Sequence, residues 1–311
     1  MILFLVSVIF FMVYLLPGEP FQQYYSPKLG NELAEQIKSK FGFDKPIPIQ
    51  FLNWIKNVLQ GDFGYSIVYK RPVGSLLTDS ILVTFSISLI AFLFQILISI
   101  PLGLFLLKNS GKKIDLIIDK LALIIYSAPS FVVAIVLIYF GSIVLKIFPS
   151  SQMTSYNFYE LSFIDKLFDL IHHLTLPVLT LTITSVSFSI RYLRESLINV
   201  SNEDFVIALR ANGIPENTIR KKHILPNALI SYITILGLEI GSLLSKTLIT
   251  ETVFSLPGMG KLMVTSIFTR DYPVIIACVM ISGFMVIIGN LIADILIARF
   301  NPKFSCEAVS Q

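Results

Sequence analysis

Six long apolar stretches, separated by shorter polar or basic segments, organise the chain. They run from about Met1 to Leu16, Leu77 to Leu107, Leu116 to Ile147, Phe168 to Leu193, Pro226 to Phe254 and Pro273 to Phe300. All but the first exceed the roughly 20 residues that carry a helix across a bilayer. They are continuous, whereas the spans of a membrane β-barrel are short segments of period two. The pattern predicts an all-α integral membrane protein with six transmembrane helices. Pro101, Pro129 and Pro177 fall inside spans, where neighbouring helices can re-satisfy the backbone, and they mark expected bends. The third span is expected to break around Pro129. The first stretch is short and has no basic residue before it, so it lacks the positive n-region of a signal peptide. It is expected to be a spanning helix whose first turn or two is missing from this chain, as a wrongly chosen start codon would produce.

Residues 17–76 form a mixed external segment. "SPKLGNELAEQIKSKFGF" predicts a short amphipathic helix with Ser26 as cap and Pro27 in its first turn. "PIQFLNWIKNVLQ" predicts a second, with Phe51, Trp54, Ile55 and Leu59 on one face. "GDFGYS" then turns the chain. The segment reads either as a small helical cap on the outer membrane surface or as a solvated loop with interfacial aromatics.

Composition agrees with the hydropathy pattern. The chain is 54% hydrophobic and 14% charged, against about a quarter charged in soluble domains. The net charge of +4 follows loop bias and does not point to nucleic acid. Lys108, Lys112, Lys113 and Lys120 follow span two. Arg191, Arg194, Arg210, Arg220, Lys221 and Lys222 follow span four, and Arg299 and Lys303 close the chain. Six spans put all three groups on one side, which the positive-inside rule makes cytoplasmic, with both termini inside. Cys278 and Cys306 lie in a span and in the tail, and neither a disulfide nor a metal site is expected from them.

The most charged run of the C-terminal half is "DFVIALRANGIPENTIRKKHILPNAL", between spans four and five. Ser201 and Asp204 fit a capping box. The helix they open is expected to run to about Asn212, with Gly213 supplying a left-handed end. Pro215 suits the first turn of a second short helix, and Pro226 is expected to open the next span. The result is a rigid elbow along the membrane. Ala208 and Ala211 leave one face flat for a protein partner, and the basic residues can meet either an acidic partner or phosphate headgroups. The residues alone leave docking and headgroup anchoring open.

Ala208, Arg210, Ala211 and Gly213, followed by Leu225-Pro226 twelve and thirteen positions after the glycine, resemble the EAA loop of ABC importer permeases. "ALRANG" is close to the variant of the peptide/nickel branch. Ile207 stands where the motif has glutamate, Leu209 replaces its second alanine and His223 its isoleucine. "LLPGEP", "FGFDKPIPIQFLNWIKN", "GDFGYS", "YSAPSF", "HHLTLPVLTL", "ETVFSLPGMGKLMVTSIFTRDYPVI" and "NLIADILIARFNPK" are similar, in order, to the same branch, so the resemblance spans nearly the whole chain. It implies a bacterial inner-membrane permease subunit with a cytoplasmic coupling helix between helices 4 and 5. ATPase coupling would then fall on Asp204, Ala208, Arg210, Ala211, Gly213, Ile214 and Pro215. The implied partners are a second permease, often non-identical, two cytoplasmic ABC ATPases that use the ATP, and an external substrate-binding protein. Membrane lipid surrounds the subunit. The cargo would be peptides or a related small solute such as a nickel chelate. The domain plan is a first helix over 1–16, an external segment over 17–76, a permease core over 77–300 with the coupling loop at 201–225, and a tail over 301–311.

Catalytic chemistry is not expected. "GMGKL" lacks the spacing of a phosphate loop and has no Ser or Thr after Lys261, so ATP hydrolysis belongs to another subunit and no cofactor is bound directly. His172 and His173 point about 100° apart on a helix and read as polar anchors at the interface. Charge inside a span costs at least roughly 2.5–3.5 kcal/mol at mid-bilayer, so such residues face a path or a partner helix. Glu239, Ser242, Lys246 and Thr250 step by three, four and four positions and share one face of span five. Glu239 and Lys246 are two turns apart, too far for contact by backbone spacing alone, with side chains or water left to link them. Gly237, Gly241 and Ser245 form a small-residue ridge for close helix packing. The stripe reads as a translocation-path lining or as pairing with a neighbouring helix. Lys246, where the family usually has a small residue, would favour carboxylate cargo if it faces the path. Glu251 is the candidate outer gate, and Asn290 and Asp294 are expected to hold helices together. A secondary transporter driven by an ion gradient is the alternative, with Glu239 as its candidate ion-binding carboxylate.

Overall fold

The computed structural model describes residues 4, 7, 8, 10, 11, 45–66 and 68–300. Most of the expected first span, the "SPKLGNELAEQIKSKFGF" helix and the 301–311 tail with Cys306 lie outside the described residues. The chain divides into two compact units, Met1–Thr84 with Leu256–Met285, and Phe85–Ser255 with Val286–Gln311.

In the first unit, α1 (Ile47–Leu59) follows Pro46 and carries a proline in its first turn, where a missing N–H does no harm. It buries Trp54 with Phe10, Tyr272 and Ile276, and Phe51 and Ile55 pack alongside. Leu59, expected on the same face, is 82% exposed, because the helix ends there and the chain turns away. The turn uses Gly61 at φ 82° and Gly64 at φ 94°, a backbone that side chains resist. The Gly64 N–H donates to Asp62 Oδ1 at 3.0 Å. Tyr65–Ser66 (β1) then pairs antiparallel with Arg71–Pro72 (β2). This two-residue ladder departs from the all-α expectation and is too short to leave a period in the sequence. The Ser66 hydroxyl donates to Asp271, which sits just before the last helix. Burial pushes the Asp271 carboxyl above the usual carboxylate range, against the Ser66 and Val68 hydrogen bonds. "GMGKL" begins a helix, Met259–Thr269, and the Met259 N–H donates to Thr84 Oγ1 at 2.8 Å. The glycines there shape a helix start.

The second unit holds most of the long helices. In chain order they are α2 (Val73–Lys108), which begins in the first unit, α3 (Lys113–Ser127), α4 (Ser130–Ile138) and α5 (Phe163–Ser201). They continue with α6 (Asp204–Ala211), α7 (Glu216–Thr218), α8 (Leu225–Lys246) and α9 (Leu248–Val253). The first-unit helix Met259–Thr269 is α10, and α11 (Tyr272–Phe300) ends the described chain. Among the described residues, α2, α5, the run Glu216–Ile240 and Tyr272–Ile295 of α11 are long and apolar enough to cross a membrane, and the bent pair Lys113–Ser127 and Ser130–Val144 makes up to five if it is one span. α3 and α4 meet at 104°. Pro129 removes a helical donor and drives Ala128 to an extended ψ of 136°, as the residue before proline requires. The break was expected, and the angle makes it a corner. At 39 residues, α5 outruns the roughly 30 Å hydrocarbon layer and carries its C-terminal turns to the elbow. Pro177 lies inside it.

Some interior contacts follow the sequence closely. A Cβ on Gly237 would lie 2.6 Å from Ala293 Cβ, so α8 and α11 touch where the small-residue ridge begins. The side chains of Gly241 and Ser245 lie outside the described residues. Gly237→Leu is expected to destabilise the second unit by about 1–3 kcal/mol through overpacking. Thermal unfolding in detergent checks this, and Ala293→Gly is expected to restore part of the loss to Gly237→Ala. Asn290 and Asp294, expected to hold helices together, are exposed on α11. His172 Nε2 lies 2.6 Å from the Ile147 carbonyl, and His173 Nδ1 lies 2.9 Å from the Asp169 carbonyl. The two rings are nearly perpendicular, at 84°, and each is turned to its own anchor.

Candidate functional site

The elbow is built on a buried floor. Leu193 and Leu197 of α5, Val206 of α6, Ile219 and Ile224 of the following turn, and Tyr232 of α8 form one apolar cluster, with Leu209 and Ile214 packed against it. α6 therefore presents its opposite side outward. Asp204, Ile207, Ala208 and Ala211 are all exposed, and their spacing of three, four and seven positions from Asp204 defines one helical face. The end of α6 is closed as expected. Gly213 has φ 74°. Its N–H donates to the Arg210 carbonyl at 3.0 Å, and the Ile214 N–H donates to the Leu209 carbonyl at 3.2 Å. This is the paired closure of a Schellman motif, with Leu209 and Ile214 supplying its accompanying apolar pair.

Three details differ from the sequence reading. Ser201 does not cap α6. It is the last residue of α5, its hydroxyl donates to the Ile198 carbonyl at 2.8 Å, and Glu203 stands at the N-cap without a side-chain bond. The reason is that α5 continues to Ser201, leaving that residue helical rather than extended. Pro226 stands in the first turn of α8, but no break in the helical path precedes it. The helical path runs from Glu216 through a π-turn, Ile219–Ile224, into α8. That wider turn lies where a proline without a donor would otherwise disturb the helix. Arg210 is engaged: its guanidinium donates to Glu216 at 3.2 and 3.3 Å and to the Ser201 carbonyl at 3.2 Å. Arg220 reaches the same carboxylate at 3.4 Å. Glu216 thus ties both arginines across the loop behind Pro215, while Lys221 and Lys222 remain exposed.

Arg191 and Arg194, expected in the loop, lie within α5 and pair with α3. Arg194 Nε and Nη2 both donate to Asp115 at 2.6 Å. Arg191 Nε donates to Asp119 at 3.3 Å. These are ties between helices as well as markers of sidedness.

A second constellation lies on α8. Lys246 Nζ is 2.8 Å from Glu239 Oε1, so the two long side chains span two turns directly. Behind them the Gln95 amide of α2 donates to Glu239 and to Ser189 of α5. Gln95 and Ser189 were missed from sequence, although a glutamine inside "AFLFQILISI" is the kind of intramembrane polar residue that calls for a partner. Glu239 and Lys246 line a cavity of ≈ 590 Å³ that also takes in Tyr126, Ser130, Thr184, Ser185 and Phe188. It lies beside the α3–α4 corner, whose residues form part of its wall. Thr250 is buried in α9 and does not line this cavity. The Ser242 side chain lies outside the described residues. Glu251, also in α9, is buried, 1% exposed.

Several helices apolar enough to cross a membrane, an elbow helix with an exposed face and a cavity lined by polar and apolar side chains fit the class of membrane transport subunits. The family described as "Binding-protein-dependent transport system inner membrane component" matches residues 99–305, and the corresponding N-terminal family matches residues 1–88. The chain belongs to this family and is a multi-pass inner-membrane protein. It is 39% identical over 288 residues to the oligopeptide transport system permease protein AppB of Bacillus subtilis, covering 92% of this chain and 90% of that protein. It is 32% identical over 301 residues to the glutathione transport system permease protein GsiC of Salmonella choleraesuis, covering 97% and 94%. Among solved structures, an inward-facing conformation of the MetNI methionine ABC transporter matches with a TM-score of 0.54 at 18% identity, covering 70% of this chain and 95% of that one. That likeness concerns the fold.

Proposed function

We propose that this chain is the translocation subunit of a bacterial ABC importer for peptides, working with a second, non-identical permease, two cytoplasmic ATPases and an external binding protein. The observation that carries the reading is α6, closed by Gly213 and anchored by Val206, Leu209 and Ile214, with Asp204, Ile207, Ala208 and Ala211 turned outward. In this reading that face seats in the ATPase, on the cytoplasmic side. Arg210 holds the elbow's shape through Glu216, and Pro215 caps the short helix that follows. Six spans, with the first over 1–16 and the core over 77–300, leave both termini inside, the 17–76 segment outside and the 301–311 tail in the cytoplasm. Glu239, Ser242, Lys246 and Thr250 belong to the path wall and its supports, and Glu251 to the outer gate. The names of the relatives support peptides as the cargo class over a nickel chelate.

ATP binding would draw the two coupling helices together and open the path outward, and hydrolysis would reset it. All nucleotide chemistry lies in the partner subunit. The test is uptake by proteoliposomes holding the permease pair and binding protein, with and without the ATPase. Uptake is expected only with the ATPase and internal ATP, and unchanged when proton and sodium gradients are collapsed. Gradient-dependent uptake without the ATPase would establish the secondary transporter instead.

A further inference from the structure

We propose that Lys246 is a carboxylate-reading position on the cavity wall, with Glu239 as its built-in counter-ion. This rests on the reading of that wall as part of the translocation path. The pair is asymmetric: the Lys246 side chain is 42% exposed and that of Glu239 only 6%. The ammonium stands at the rim and the carboxylate behind it. An ammonium has three donors, and one goes to Glu239 Oε1. The other carboxylate oxygen of Glu239 accepts from Gln95, itself tied to Ser189. Glu239 is thereby fixed from the rear, and Lys246 keeps two further donors on a side chain that is 42% exposed.

The arrangement solves an intramembrane problem. An unpaired charge among apolar helix walls is costly, and a neutral pair lowers that cost while no cargo is present. An arriving carboxylate takes the rim donors without displacing Glu239, so the path is charged toward its cargo yet neutral at rest. The rest of the wall mixes the hydroxyls of Tyr126, Ser130, Thr184 and Ser185 with the apolar faces of Phe188 and Ile235. That lining suits a small solute with a carboxylate on a partly apolar body, such as the C-terminal end of a short peptide. The volume of ≈ 590 Å³ falls within the roughly 300–1,000 Å³ of small-molecule sites.

The test uses the complete transporter in proteoliposomes, with Ser185→Cys introduced in a Cys278→Ala, Cys306→Ala background. Labelling rates with anionic sulfonatoethyl and cationic trimethylammonioethyl methanethiosulfonate report the charge preference of the wall. The anionic reagent is expected to react several-fold faster. Lys246→Arg is expected to keep this preference and the neutral double variant Glu239→Gln/Lys246→Met to lose it. The double variant leaves no buried carboxylate unpaired, so it separates charge from misfolding. In parallel, uptake of trialanine is compared with that of its C-terminal amide, and the double variant is expected to lower the acid-to-amide ratio several-fold. An unchanged labelling ratio in the double variant, or equal losses for acid and amide, would overturn the proposal. If the parent imports neither peptide, the peptide reading fails and the labelling ratio alone decides the site. A cysteine that never reacts would remove both the path reading and this one.

Discussion

Gly213→Pro is expected to abolish ATP-driven uptake while leaving membrane insertion intact. Gly213 sits at φ 74°, and proline is held near −65°. Its N–H also donates to the Arg210 carbonyl, a bond proline cannot make. Forcing the change costs about 3 kcal/mol or more, which lowers the population of the closed elbow by about a hundredfold. A graded series separates conformation from bulk. A Cβ at Gly213 would meet nothing within 4 Å, so Gly213→Ala suffers only the left-handed strain of roughly 1–2 kcal/mol. Asparagine, which visits that region more readily, should stay near wild type. The expected order of ATPase capture in detergent pull-downs is glycine, asparagine, alanine, then proline. Equal capture by all four would mean that α6 does not carry the docking face, and loss of all three variants alike would point to side-chain bulk.

Helices were legible in this sequence where hydropathy alone decides them, and contacts were not. Long helices lie where continuous apolar runs predict spans two, four, five and six, and the third run forms a bent pair of helices, because a segment in hydrocarbon must satisfy its own backbone hydrogen bonds. Gly213 was legible because a positive φ strongly favours glycine. Pro129 marked a break, yet its 104° angle is a tertiary matter: the helical turn that follows α4, Tyr139–Val144, packs closely on α5 where Gly141 meets Leu176. Ser201 misled because a capping box is a local pattern, and α5 extended through it for tertiary reasons. Arg191 and Arg194 read as loop charges because their acids, Asp119 and Asp115, lie more than seventy positions away. The Glu239–Lys246 stripe was visible as a shared face. Its closure into a direct pair was left open beside a water link, because two helical turns exceed the i, i+4 reach on which such reasoning rests, and only the full lengths of both side chains bridge them.

Arg194→Met is expected to destabilise the second unit far more than Arg191→Met, although both remove an ion pair between α5 and α3. Asp115 is fully buried, 0% exposed, and takes two charge-assisted bonds from Arg194 at 2.6 Å plus the Gly111 N–H at 3.0 Å. Removing the guanidinium leaves a buried carboxylate without its counter-ion, a loss of about 3–5 kcal/mol. The Arg191–Asp119 pair is longer, at 3.3 Å, and its side chains are 36% and 31% exposed, so its removal should cost only about 0–1 kcal/mol. Thermal melting of the purified permease pair in detergent is the measurement, with a fall of about 10 °C expected for Arg194→Met. Asp115→Leu combined with Arg194→Met should recover most of that fall, because a well-packed apolar pair can replace a buried ionic one. Transport should follow stability here, since α3 leads to the corner beside the cavity and α5 carries the elbow. A wild-type melting point for Arg194→Met, or a larger fall for Arg191→Met, would show that the bidentate pair is not what joins these helices.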